Sequence, residues 1–250
     1  MKIAFSKPTA DEAGLDRLLT GFRHDGYEGL QLKSGQFAPW LGRAGAWADR
    51  WGDDPGRTSA LIVFDDLDPA GEARLADAIR FAAATGGERI VFCQNRDRTG
   101  VDDAFLRDLG QRLSAIGRAA ADVGVAMSFH HHTGQPVMTP HDVRVFFKAV
   151  QPGTVGLTVD TAHLAKSGVE DIPAFIGEFG PVIDNVHLKD YADGEWRLLG
   201  EGGLDLPGIL RVLDEAGFDG WLCVDEESAA DLETGLSRSR AWLDAHLQSA

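Results

Sequence analysis

Short apolar runs alternate with longer amphipathic stretches along the whole chain. Apolar runs rich in β-branched residues, separated by helical patterns, are typical of βαβ units and a parallel sheet. The predicted strands are Lys2–Ser6, Gly29–Lys33, Ala60–Phe64, Arg89–Cys93, Val125–His130, Val155–Asp160, Val182–His187 and Gly220–Asp225. The predicted helices lie near residues 10–24, 37–50, 69–85, 101–123, 140–149, 170–180, 205–216 and 229–247.

Eight such units in 250 residues predict an α/β fold, a (β/α)₈ barrel formed by a single domain over residues 1–250. A doubly wound open sheet is the alternative. Its first turn would need a Gly-x-Gly-x-x-Gly fingerprint, and the stretch Ser6-Lys7-Pro8-Thr9 does not provide one. We therefore expect a barrel and no nucleotide cofactor.

The composition limits the classes of molecule that the protein is expected to bind and where it is expected to be found. A net charge of −15 opposes binding to nucleic acid and to anionic membranes. The N-terminus shows no signal-peptide pattern, and no apolar run reaches the length of a membrane span. Cys93 and Cys223 lie inside apolar runs, so we expect them buried and reduced. These features predict a soluble cytoplasmic protein, and a homo-oligomer is compatible with them.

Candidate metal ligands stand at the ends of four predicted strands, where the active site of a (β/α)₈ barrel forms. Because strand side chains alternate between two faces, placing the apolar residues toward the helices turns one polar set inward. This set consists of His130, Asp160, His187 and Asp225 at one level, with Gln31, Lys33, His132 and Lys189 also inward. Glu226 would turn away at the rim, but a one-residue slip would exchange it for Asp225. Mixed imidazole and carboxylate ligands favour one divalent Mn, Co, Zn or Fe ion.

Four motifs resemble the sugar isomerase/epimerase superfamily of metal-dependent barrels, which includes xylose isomerase-like proteins. They are Val159-Asp160-Thr161-Ala162-His163, Val186-His187-Leu188-Lys189-Asp190, the stretch 199–205 and the stretch 217–222. The resemblance implies that Asp160 and His187 bind the metal and that His163 contacts substrate. The string His130-His131-His132-Thr133-Gly134 is similar to one in inosose dehydratases of the same superfamily.

Two positions depart from the superfamily pattern. Its isomerases and epimerases usually carry glutamates at the ends of strands five and eight, where this chain has His130 and Asp225. The resemblance as a whole implies an enzyme that acts on a small keto-sugar or keto-polyol by removing a proton α to a carbonyl. The leading hypothesis for the reaction is isomerisation or epimerisation. The alternative is an inosose dehydratase-like lyase that eliminates water from a keto-inositol or keto-sugar.

This chemistry needs a base with a pKa near neutral, and His132 or a non-ligating His130 is the candidate. Lys189 could have a lowered pKa and act as an acid or oxyanion partner, or could instead form an ion pair with Asp160 or Asp225. Gln31 and the loop residue Arg197 are further candidates for substrate binding. Two other classes remain open, an endonuclease IV-like nuclease and a non-catalytic barrel subunit.

Overall fold

The computed structural model describes residues 1–247 and confirms the (β/α)₈ barrel. Every predicted strand is present, and no strand end moves by more than one residue. The barrel strands are β1 (Lys2–Ser6), β2 (Gly29–Lys33), β3 (Ala60–Asp65), β4 (Arg89–Gln94), β5 (Ala126–His130), β6 (Gly156–Asp160), β7 (Ile183–Leu188) and, after a hairpin, β10 (Trp221–Asp225). The hairpin consists of β8 (Asp190–Ala192) and β9 (Glu195–Arg197), which pair antiparallel and which the sequence pattern did not predict.

The eight barrel strands pair in chain order, and β10 closes the ring by pairing in parallel with β1. Ser6 of β1 lies opposite Asp225, and Asp160 of β6 lies opposite His187 of β7. One irregularity interrupts the β6–β7 ladder. Leu157 pairs with Ile183 but Thr158 pairs with Asn185, so β7 carries one extra residue at this point. Such a bulge re-aims a side chain.

The helices are α1 (Glu12–Gly21), α2 (Ser34–Phe37), α3 (Ala44–Trp51), α4 (Pro69–Ala84), α5 (Asp103–Ala121), α6 (Pro140–Ala149), α7 (Thr161–Lys166), α8 (Ile172–Phe179), α9 (Leu206–Glu215) and α10 (Leu232–Leu247). The prediction of one helix over residues 37–50 was wrong. A short 3₁₀ turn over Ala38–Trp40 contains Pro39, and Gly42 adopts a φ of 72°, so the segment divides between α2 and α3.

The predicted alternation of side chains is correct. Leu222 and Val224 of β10 face the helices and join the main core, while Cys223 faces the barrel interior with Ala4 and Trp221. The strands separate these interior residues from the outer core. Since the carboxyl ends of all eight parallel strands lie at the same end of the barrel, the inward polar residues at those ends lie close together there. Within residues 1–247, no helix combines the length and apolarity required to cross a membrane.

Candidate metal centre

His130, Asp160 and His187 form a buried triad at the carboxyl ends of β5, β6 and β7. Their donor atoms all lie within 4.8 Å of one another, and each residue is at most 5% exposed. The pairing of Asp160 with His187 in the β6–β7 ladder brings these two side chains together directly. The structure thus assembles three residues that the sequence had predicted to be ligands.

Three buried atoms of the triad, His130 Nδ1, Asp160 Oδ2 and His187 Nδ1, have no hydrogen-bond partner, although Lys189 Nζ approaches Asp160 Oδ2 at 3.4 Å. Asp160 Oδ2 lies 3.5 Å from His130 Nε2 and 4.0 Å from His187 Nδ1. A metal bonded at about 2.0–2.2 Å to each ligand keeps the ligand atoms roughly 3–3.5 Å apart. A buried polar atom without a partner costs about 1–3 kcal/mol, and a bound ion would remove that cost. The triad therefore fits a metal ion.

Hydrogen bonds behind the triad orient its members. His187 Nε2 lies 2.9 Å from Gln31 Oε1, so Nε2–H donates to the amide and Nδ1 faces the triad. Asp160 Oδ1 accepts from the backbone N–H of His163 at the start of α7, and Oδ2 faces the other triad members with Lys189 Nζ 3.4 Å away. Burial lowers the pKa of His187 to about 3, so its imidazole is neutral and can act as a ligand.

Two lysines and two carboxylates form an ion-pair cluster beside the triad. Lys189 Nζ lies 2.7 Å from both Asp225 Oδ2 and Glu227 Oε2. Lys33 Nζ lies 2.6 Å from Asp225 Oδ1 and 2.8 Å from Glu227 Oε1. Burial alone would lower the pKa of Lys189, but Asp160 and Asp225 hold it well above its usual value. The expectation of a lowered pKa for Lys189 was wrong, and the alternative of an ion pair is correct.

Asp225 and Glu226 lie on opposite sides of β10. Asp225 Oδ2 is 3.7 Å from His187 Nδ1, although both lysines hold this carboxylate. Glu226 turns away from the triad and accepts from Lys7 Nζ and from the N–H and hydroxyl of Ser228. The alternative in which Glu226 replaces Asp225 is therefore not what the structure shows, because strand alternation directs the two carboxylates apart.

A cavity of about 260 Å³ opens above the triad and is lined by His130, His187, the ion-pair cluster, His132, His163 and Phe64. His132 Nδ1 donates to the Thr133 carbonyl at 2.8 Å, which leaves its Nε2 as an unprotonated nitrogen. Burial and the neighbouring His130 lower the pKa of His132 to about 4. The rings of His132 and His163 have centroids 3.8 Å apart. His132 is thus a neutral imidazole at the cavity wall.

Two residues expected to bind substrate lie outside this cavity lining. Gln31 is buried, and its amide bonds Asn185 and His187, so it supports the triad from below. Arg197 is on β9 rather than in a loop, and it lines a separate surface depression. Its guanidinium lies 3.9 Å from Asp193, and its side chain is 39% exposed. Neither position supports direct contact with a ligand above the triad.

The sequence pattern assigned no role in the site to Trp196 or to Glu227. The ring of Trp196 packs against His163 and lies 5.0 Å from Lys189 Nζ. It reaches the mouth because the hairpin β8–β9 folds over at Asp193-Gly194, where both residues have positive φ. An Asp-Gly pair is a strong hairpin signal, so this element was open to prediction.

A parallel eight-stranded barrel with a buried His-Asp-His triad at its carboxyl end defines a class of TIM barrel that could bind a metal. Residues 55–246 match the model of the xylose isomerase-like TIM barrel family, and the chain belongs to this family. An inosose dehydratase of Clostridium beijerinckii is 30% identical over 138 residues, 48% of this chain and 46% of that protein. The chain spans about half the length of the curated relatives it matches.

Solved structures share the fold over nearly the whole chain. A 3-keto-D-glucoside 4-epimerase from E. coli has a TM-score of 0.77 at 16% identity, covering 98% of this chain and 99% of its own. An IolI protein with a bound zinc atom has a TM-score of 0.73 at 16% identity, covering 100% and 97%. These likenesses support the barrel architecture.

Proposed function

We propose that the protein is a divalent-metal-dependent enzyme of the sugar isomerase/epimerase type. Its substrate would be a small keto-sugar or keto-polyol, and the reaction would begin with removal of a proton α to the carbonyl. One observation carries this proposal: His130 and His187 of the triad line the same cavity as the imidazole of His132, whose Nε2 is unprotonated.

His130, Asp160 and His187 would hold the ion, and two imidazoles with one carboxylate suit Mn, Co, Zn or Fe. The zinc in the IolI structure supports this assignment. A bound divalent ion supplies a Lewis acid that polarises a carbonyl and stabilises negative charge on the adjacent oxygen. Asp225 would act through its lysines rather than as a ligand, because both its oxygens already lie 2.6–2.7 Å from ammonium groups.

His132 would accept the α-proton at Nε2, since the Thr133 carbonyl keeps the proton of this ring on Nδ1. A pKa of about 4 keeps the His132 imidazole unprotonated at pH 7, although it lies below the near-neutral value expected for this base. His163, beside it on the same wall, would contact a substrate hydroxyl. Lys189 would remain an ammonium ion and donate a hydrogen bond to a developing oxyanion.

Elimination of water from a keto-inositol or keto-sugar is the second candidate. The inosose dehydratase relative favours it, as does the pairing of both cavity carboxylates, Asp225 and Glu227, with lysines. Elimination and isomerisation share the first proton removal. They differ in whether the next step expels a β-hydroxyl or returns the proton to carbon.

The test is incubation of metal-loaded protein in D₂O with ketoses, 3-keto-sugars and inososes, followed by NMR. A new constitutional isomer or stereoisomer supports the leading proposal, and loss of water supports the lyase. If no substrate exchanges an α-proton and no metal is retained, the proposal fails. We further infer a cytoplasmic enzyme, which the two buried free cysteines support.

A further inference from the structure

A chain of polar side chains fills the barrel interior below His187. Such interiors are usually packed with bulky branched residues. Here Gln31, Asn185, Thr158 and Ser128 are at most 1% exposed and link His187 to Asp184 near the amino end of β7. A buried polar network has to be fully satisfied to be tolerated, so the direction of each of its hydrogen bonds matters.

This hydrogen-bond chain from His187 to Asp184 has six side chains, and each link between them is 3.2 Å or shorter. Gln31 Oε1 lies 2.9 Å from His187 Nε2, and Gln31 Nε2 lies 2.7 Å from Asn185 Oδ1. Asn185 Nδ2 lies 3.2 Å from Thr158 Oγ1. The Ser128 hydroxyl lies 2.6 Å from both Thr158 Oγ1 and Asp184 Oδ1. The sequence of contacts is therefore continuous from the triad to Asp184.

Asp184 reaches this hydrogen-bond chain because of the bulge between β6 and β7. It is the extra residue of the β6–β7 bulge, so its side chain joins the interior set that Asn185 already occupies. Gly156 opposite leaves the required space, since a Cβ there would lie 2.2 Å from the Asp184 carboxyl carbon. The Asp184 side chain is 31% exposed; its partial burial raises its pKa, while Arg89, with a nitrogen 3.5 Å from Oδ2, and Ser128 favour the carboxylate.

The number of available protons decides which group donates in each hydrogen bond between Asp184 and His187. An ionised Asp184 has no proton, so the single hydroxyl proton of Ser128 must point to it. The proton of Thr158 then fills the 2.6 Å contact with Ser128, and the Thr158 oxygen can only accept. Asn185 must then present its NH₂ to Thr158, with its second proton donated to Gln31 Oε1 at 3.2 Å, and its oxygen to the Gln31 NH₂. In the reverse arrangement, two hydroxyl oxygens would meet at 2.6 Å with no proton between them.

The same logic reaches the triad. With its NH₂ facing Asn185, Gln31 presents its oxygen to His187, which must carry its proton on Nε2. We propose that Asp184, through this chain, fixes the tautomer of His187 and so directs the Nδ1 lone pair toward Asp160. Asp184 is a positioning residue, and the inference rests on the metal centre of the proposed function.

The test is Ser128→Ala, read by ¹⁵N NMR of the histidine rings in metal-free protein. Without the serine oxygen, the Thr158 proton turns to Asn185, both amides reverse, and His187 changes from Nε2–H to Nδ1–H. Zn²⁺ titration of the same variant should show affinity weakened about 10–100-fold. Ser114→Ala is the matched control, because Ser114 is also buried but bonds the Gly110 carbonyl within α5 and the Gln151 N–H, away from this network.

Thr158→Val is the second variant and should yield a mixture of the two His187 tautomers. An unchanged Nε2–H signal in both chain variants overturns the inference, as does the same tautomer change in Ser114→Ala. The readout needs neither metal nor substrate. If His187 changes tautomer in Ser128→Ala but the unaltered metal-loaded protein turns over no ketose, 3-keto-sugar or inosose, the proposed function alone is refuted. If the unaltered protein turns over such a substrate but His187 keeps its tautomer in Ser128→Ala, this inference alone is refuted.

Discussion

The mouth of the barrel has two sides with opposite electrostatic character. The histidine side consists of His130, Asp160 and His187, and the lysine side consists of Lys33, Lys189, Asp225 and Glu227. On the histidine side, Asp160 Oδ2 lies 3.5–4.0 Å from the two imidazoles, and three atoms of the triad have no hydrogen-bond partner. On the lysine side, ammonium and carboxylate groups meet at 2.6–2.8 Å. On the histidine side, the Lys189 ammonium group approaches Asp160 Oδ2 at 3.4 Å, whereas on the lysine side two ammonium groups contact carboxylates at hydrogen-bond distance.

Asp160→Ala should have the largest effect. Removing the only carboxylate of the triad should abolish metal retention and reduce turnover below detection, because two imidazoles alone do not hold the ion. Metal content and calorimetric titration measure this. Asp225→Ala is the control from the lysine side and should keep the ion. Equal loss of metal from both variants would mean that the two sides form one ligand set.

His132→Gln should separate proton transfer from metal binding. Loss of the base should lower kcat about 10²–10⁴-fold, while metal content stays at the level of the unaltered protein. The glutamine retains a polar side chain at the cavity wall, and Zn²⁺ titration checks the triad. If the metal is lost as well, His132 belongs to the histidine side as a ligand rather than as a base.

The histidine side was largely open to prediction. Alternation along β5, β6 and β7 is enough to turn His130, Asp160 and His187 inward, and the parallel topology brings their strand ends together. Alternation also separates Asp225 from Glu226. These inferences succeed because they depend on local strand geometry, which the apolar pattern reports directly.

The lysine side and the barrel interior were not open to prediction in the same way. Parity turned Lys189 and Gln31 inward, but their roles depend on partners distant in the chain. Glu227 raises the pKa of Lys189 from a loop after β10, and Asn185 holds Gln31 below the mouth. Pattern alone gives the direction of a side chain and not its depth or its hydrogen bonds.

Lys189→Met should test whether the lysine side is held together by its ion pairs. Removing one partner leaves buried carboxylates uncompensated, so we expect unfolding free energy to fall by about 3 kcal/mol, at the low end of such losses because Lys33 remains. Urea unfolding of metal-free protein measures it. Lys2→Met is the control, since the Lys2–Glu88 pair is half exposed and should contribute under about 1 kcal/mol. Similar losses in both variants would contradict a stabilising cluster.

Arg197→Ala should have the smallest effect and tests where the mouth ends. Arg197 is 39% exposed and its nearest carboxylate, on Asp193, lies 3.9 Å away, so stability should change by less than about 0.5 kcal/mol. Because its side chain does not line the cavity above the triad, KM and kcat should also stay unchanged. Arg238→Ala, which removes another exposed arginine that pairs with Glu201, is the matched control. A KM raised in Arg197→Ala alone would mean that the β8–β9 hairpin brings Arg197 onto bound substrate, and the mouth would then have a third side.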